Sequence, residues 1–198
     1  IQACRNTERG RPLDKKLREF GLLTEAAVLA RAERLRTSAS LTGLQPAKVP
    51  SEVSRVIVLS RVTLGADIAI TSVIVDRLKT EFPQAEIVLV GGRKASELFG
   101  GDPRLSFEEI NYPGGAAALD RLLAWIPLSD RVRELTGDAE ADGPALPGDN
   151  SLIVDPDSRL TQLGLLPLVP ERGDLRAGRA GYLFFPSREY HHESSASL

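Results

Sequence analysis

Residues 55–91 read RVIVLSRVTLGADIAITSVIVDRLKTEFPQAEIVLVG, two short apolar runs with a helical stretch between them. The runs Arg55 to Ser60 and Glu86 to Val90 are each about one strand long and lack the polar alternation of a half-solvated sheet. That is the pattern of parallel strands covered on both faces. Between them, Ile70, Ile74, Leu78 and Phe82 fall at i, i+4, i+8 and i+12, which predicts a helix over Asp67 to Phe82. The β-branched run Ile68 to Val75 would also suit a strand. A second strand directly after the first leaves no good hairpin turn, so the helix is the expected element.

The same alternation continues outward. Leu152 to Asp155 and Tyr182 to Phe185 are further strand-length apolar runs, and Leu105 to Ile110 adds a more exposed one. Helices are expected at Lys94 to Phe99, at Ala116 to Leu135 and just after Ser158, with Gly137 to Asn150 as an exposed excursion. A repeated βαβ order implies an α/β fold with a parallel sheet, flanking helices and right-handed crossovers. Ligands of such sheets sit at the carboxyl ends of the strands, so the loops after the strands are where chemistry is sought.

Toward the N-terminus, Leu17, Phe20, Leu23, Ala27, Ala30 and Leu35 recur at near-helical spacing and predict one amphipathic helix from Lys15 to Arg36. Thr37 to Pro50 reads as a linker. The expected organisation is therefore a helix and linker over 1–52, an α/β domain over 53–190 and a polar tail over 191–198.

Composition narrows the class. At 198 residues, with 42% hydrophobic and 26% charged content, one compact domain with a real core is expected. No apolar run reaches the roughly 20 residues needed to span a bilayer, and no signal-peptide pattern is present, so a cytoplasmic location is expected. Residues 1–50 hold 10 Lys+Arg against 5 Asp+Glu, leaving 15 against 22 for the rest. A basic front of this kind touches anionic lipid or nucleic acid, or simply presents a solvated helix face. The lone Cys4 forms no internal disulfide and has no ligand-like neighbours. The chain begins at Ile1 and contains no Met, so it is expected to be a segment of something longer.

Four loops follow strands. In Arg61 to Asp67, Gly65 suits a tight turn, the helix start offers free N–H groups, and Asp67 stands at the expected helix entrance. On spacing alone the plainer reading of Asp67 is an N-cap. Neither GxGxxG nor GxxxxGK[ST] occurs here, so dinucleotide and P-loop readings lack support. Gly91-Gly92-Arg93-Lys94 offers an anion site or merely a turn. Asp155-Pro156-Asp157-Ser158-Arg159-Leu160-Thr161-Gln162 gathers two carboxylates, a guanidinium and an amide suited to a polyhydroxylated ligand or phosphate, and also supplies helix caps. Pro186 to Tyr190 ends the last strand, and the adjacent His191 and His192 make poor joint metal ligands.

Together these loops resemble glycosyltransferase family 9, the ADP-heptose:lipopolysaccharide heptosyltransferases. The resemblance lies in VIVLSRVTLGADIAIT (Val56 to Thr71), LKTEFPQAEIVLVG (Leu78 to Gly91) and DPDSRLTQLGLLP (Asp155 to Pro167), and spans about residues 53–190. It implies a Rossmann-like domain, the acceptor-side N-terminal half of a GT-B enzyme, with the nucleotide-sugar donor held by a C-terminal α/β domain not seen in this sequence. It further implies inverting transfer to a glycan or lipid-linked acceptor, as in lipopolysaccharide biosynthesis, with peripheral contact at the inner membrane left open. No cofactor, catalytic metal or nucleic-acid partner is implied. The family's loop carries a Gly-Asp pair whose Asp is the general base; here Ala66 intervenes, and the role carries over to Asp67. Thr63 and Gly65 would shape the acceptor site, and Asp155, Asp157, Ser158, Arg159 and Gln162 would hold acceptor hydroxyls or phosphate. The alternative is a non-catalytic sugar- or nucleotide-binding module or truncated remnant.

Overall fold

The structure is a computed structural model that describes residues 5–19, 21–30, 53–60, 64–110, 118–136, 151–156 and 180–184. Five strands form one sheet: β1 (Arg55–Leu59), β2 (Glu86–Gly91), β3 (Leu105–Glu109), β4 (Ser151–Asp155) and β5 (Ala180–Phe184). Their order is β3-β2-β1-β4-β5 and every pairing is parallel. This is the doubly wound, Rossmann-like order, in which the chain steps outward to β3 and then returns to the far side of β1. Register is fixed by pairs such as Val58↔Leu89 and Val58↔Val154.

The central strands are apolar throughout because each face is covered. On one face, Val56, Val58, Ile87, Leu89, Leu152 and Val154 pack against the helices that join β1 to β2 and β2 to β3. The first of these, α2, runs as Leu64–Ala66, a π-helical segment Asp67–Thr71, and Ser72–Glu81; α3 is Arg93–Phe99. On the other face, Ile57, Leu59, Val88, Val90 and Ile153 pack against α5 (Trp125–Leu135), with residues of α4 (Ala118–Leu123) alongside. The reversal of direction at β1 sends the later crossover to the opposite face, since both crossovers keep the same hand.

That second face is shared with the N-terminal segment. Helix α1 (Arg11–Glu19) buries Leu13 and Leu17 in the same cluster, which also takes Leu22 and Val28. The expected single helix from Lys15 to Arg36 is instead interrupted: helix α1 ends at Glu19, and residues 25–30 are helical again. Gly21, at φ +70°, is the residue that permits the break. Its N–H donates to the Arg18 carbonyl at 2.9 Å and that of Leu22 to Leu17 at 2.8 Å, the paired bonds of a Schellman stop. The Thr24 hydroxyl then accepts from the Ala27 N–H at 3.1 Å and caps the next turn.

Much of the basic front is engaged within the chain. Lys16, only 8% exposed, pairs with Asp130 of α5; Arg9 pairs with Asp120 of α4; and Asp14 accepts from Arg5 and Arg18 at 2.9 and 2.8 Å. The expected helix over Ala116 to Leu135 is likewise two helices meeting at Ala124. Pro127 has no N–H to offer the carbonyl four residues back, at Leu123 where α4 ends, which accounts for the break. Arg131 joins α5 to the edge strand, donating from Nε to Glu108 at 3.0 Å and also pairing with Glu134. Among the described residues no helix is long and apolar enough to cross a membrane.

Candidate functional site

In a doubly wound sheet the crevice lies at the carboxyl edge between the two strands where the winding reverses. Here those strands are β1 and β4, hydrogen-bonded neighbours. The burial pattern marks the same edge. Four of the eight buried polar or charged residues among those described are Ser60, Asp67, Thr71 and Asp155. Ser60 follows β1, Asp155 ends β4, and Asp67 and Thr71 lie in the first turns of the helix that follows β1.

Ser60 extends the ladder by donating its N–H to the Val90 carbonyl at 2.8 Å. Its side chain lies against Gly91, where an added Cβ would come within 2.0 Å of the Ser60 Oγ and 2.7 Å of its Cβ. The glycine in GGRK is therefore required by the close approach of β1. Gly92 precedes α3 in extended conformation, Arg93 pairs with Glu97 at 2.9 Å, and Lys94 is exposed.

Asp155 is fully buried at the last residue of β4, level with Phe184 of β5. Extending the β1–β4 register by one residue brings it level with Leu59, so Asp155 and Ser60 leave the sheet from adjacent strand ends.

Asp67 is placed differently from the expected helix entrance. Helix α2 begins one turn earlier, at Leu64, so Asp67 is a helical residue and not its N-cap. Gly65, expected in a tight turn, is helical and exposed, with open space where a Cβ would be. Asp67 opens the π-helical segment, in which the Ser72 N–H donates to its carbonyl, one residue beyond the α-helical partner. The buried face is one position round from the expected stripe. The expected stripe began at Ile70, yet Ile70 is 39% exposed and Asp67, Thr71, Val75 and Leu78 point inward, with Ile74 and Phe82 half-buried beside them. Within that face the Thr71 hydroxyl donates to Asp67 Oδ1 at 2.8 Å.

Of the residues singled out from sequence, Asp67, Gly65 and Asp155 are thus located, all at the carboxyl edge. Thr63, Asp157, Ser158, Arg159 and Gln162 lie outside the described residues, as do His191 and His192. Among the described residues no group of three or more His, Cys, Asp or Glu is placed to hold a metal ion. Ser60 and Thr71 were not foreseen. Thr71 had a signal in the sequence, its i+4 spacing from Asp67, which puts both on one helix face. Comparison of the chain with protein-family models, curated proteins and solved structures finds no match.

Proposed function

We propose that the chain carries the acceptor side of an inverting glycosyltransferase of the heptosyltransferase type, with Asp67 as general base. The observation that carries this reading is the buried Asp67 carboxylate, held by Thr71, in the first turns of the helix leaving β1, beside the switch point of the sheet. In the reaction, the carboxylate takes the proton of an acceptor hydroxyl as its oxygen attacks the anomeric carbon of the donor sugar. The bond from that carbon to the nucleotide diphosphate breaks, and the diphosphate leaves with the electron pair. Base catalysis of this kind contributes about 10²–10⁴-fold in rate. The donor is brought by a second α/β lobe facing the same edge, and the acceptor is a glycan or lipid-linked glycan met at the cytoplasmic face of the membrane.

Asp67 opens the π-helical segment Asp67–Thr71, and such segments occur frequently at functional sites, which supports a role for this carboxylate.

The 3% exposure of Asp67 favours a second reading, a sugar- or nucleotide-binding module in which this carboxylate only supports the helix. The two part on Asp67→Asn in the protein as encoded by its full reading frame, with folding checked by circular dichroism. The enzyme reading expects transfer from ADP-heptose to fall about 10²–10⁴-fold. Unchanged transfer removes Asp67 as base, and sugar binding without transfer in the wild type favours the module.

A further inference from the structure

Helix α2 carries three hydroxyl side chains whose partners are known, and one of them behaves unlike the others. A Ser or Thr inside a helix ordinarily returns its hydroxyl to the carbonyl four residues back. Ser72 does so with Ile68, and Thr80 with Asp76 at 3.2 Å. Thr71 instead donates to the side chain four residues back, Asp67 Oδ1 at 2.8 Å. The pair is enclosed, with Asp67 3% and Thr71 0% exposed. It also lies wholly within the π-helical segment Asp67–Thr71. Residues i and i+4 are neighbours on one helix face, which sets the Thr71 hydroxyl beside the Asp67 carboxylate.

We propose that Thr71 is a positioning residue for Asp67, fixing the rotation of the carboxylate so that its direction toward the acceptor is set before substrate arrives. The inference rests on the reading of Asp67 as general base. A hydrogen bond from a fully buried hydroxyl on the next turn confines the carboxylate to one rotamer.

The test uses Thr71→Val, which keeps the shape and removes the hydroxyl, and Thr71→Ser, which keeps the hydroxyl and removes a methyl. In the protein encoded by the full reading frame, with ADP-heptose as donor, Thr71→Val is expected to lower kcat about 10–100-fold with KM changed less than about twofold. Thr71→Ser is expected to restore most of the lost kcat. An unchanged kcat in Thr71→Val, or equal losses in both variants, overturns the proposal. A second readout needs no activity: three-bond couplings across the Asp67 Cα–Cβ bond report its rotamer. One rotamer in wild type and Thr71→Ser with averaging in Thr71→Val supports positioning, and one rotamer in all three refutes it. If the wild type transfers no sugar, the reading of Asp67 as base fails, while the couplings still decide whether Thr71 holds it.

Discussion

Replacing Gly91 by Ala tests the packing that sets the carboxyl edge. The new Cβ would lie 2.7 Å from the Ser60 Cβ, 0.7 Å inside the 3.4 Å at which ordinary contact begins, and 2.0 Å from the Ser60 Oγ. The hydroxyl can turn away, but the Cβ is carried by a backbone whose N–H is bonded to Val90. Relief therefore requires β1 and β2 to part at their carboxyl ends, beside the turn into α2. Overpacking of this kind costs about 1–3 kcal/mol, and the lower chain entropy of Ala in the unfolded state returns about 0.4–1 kcal/mol. A net loss of about 1–2 kcal/mol corresponds to about 2–8 °C in Tm for a chain of this size. Thermal melts followed by circular dichroism measure it. Ser60→Gly removes both clashing atoms, so Gly91→Ala in that background should cost little, with a coupling of about 1 kcal/mol between the sites. An unchanged Tm in Gly91→Ala, or strict additivity with Ser60→Gly, would refute the reasoning.

Other perturbations probe the rest of the fold. Leu13→Ala, at a site 1% exposed in the N-terminal helix, should cost about 2–5 kcal/mol in urea unfolding; a loss below about 0.5 kcal/mol would mean that α1 is not part of the core. Gly21→Ala should destabilise by about 1 kcal/mol through its positive φ alone, whereas Gly65→Ala, helical with nothing near the new Cβ, should stabilise by about 0.4–1 kcal/mol. Both follow from paired melts, and the same sign in both variants would contradict the assigned backbone. Lys79, and then the Arg104 N–H, hold the Asp102 carboxyl below its ordinary value of 3.8. Its stabilising contribution is complete above that value and is lost as pH falls through the lowered one. The stability gap between wild type and Asp102→Asn should therefore narrow as pH falls below the ordinary carboxyl value of 3.8, and a constant gap would exclude the linkage.

The strands were legible because both faces of the sheet are covered: RVIVL, EIVLVG and LIVD have no polar side to confuse the period. The phase of α2 was not. A strict i+4 row drifts about 40° per step from a helix of 3.6 residues per turn, so the buried row is instead Asp67, Thr71, Val75 and Leu78, which leaves Ile70 out and Thr71 in. The start of α2 was misread because the sequence offers two cap signatures, Thr63 directly ahead of Leu64 and Asp67 ahead of the apolar run, and the second was taken. In the N-terminal helix, apolar spacing continued across the break at Gly21, although that Gly and the following Thr24 were available as stop and start signals. Pro127 gave the same warning for α4 and α5. At the site, the carboxyl-edge location of Asp67 and Asp155 followed from βαβ order alone, but their burial depended on how the helices pack.

We propose above that Asp67 takes the proton of an acceptor hydroxyl. The most direct test of this is the rate of sugar transfer from ADP-heptose by the full reading frame product and by its Asp67→Asn variant, side by side at saturating substrate. A general base at Asp67 predicts a fall in kcat of about 10²–10⁴-fold with the fold preserved. Equal rates in the two proteins would contradict it.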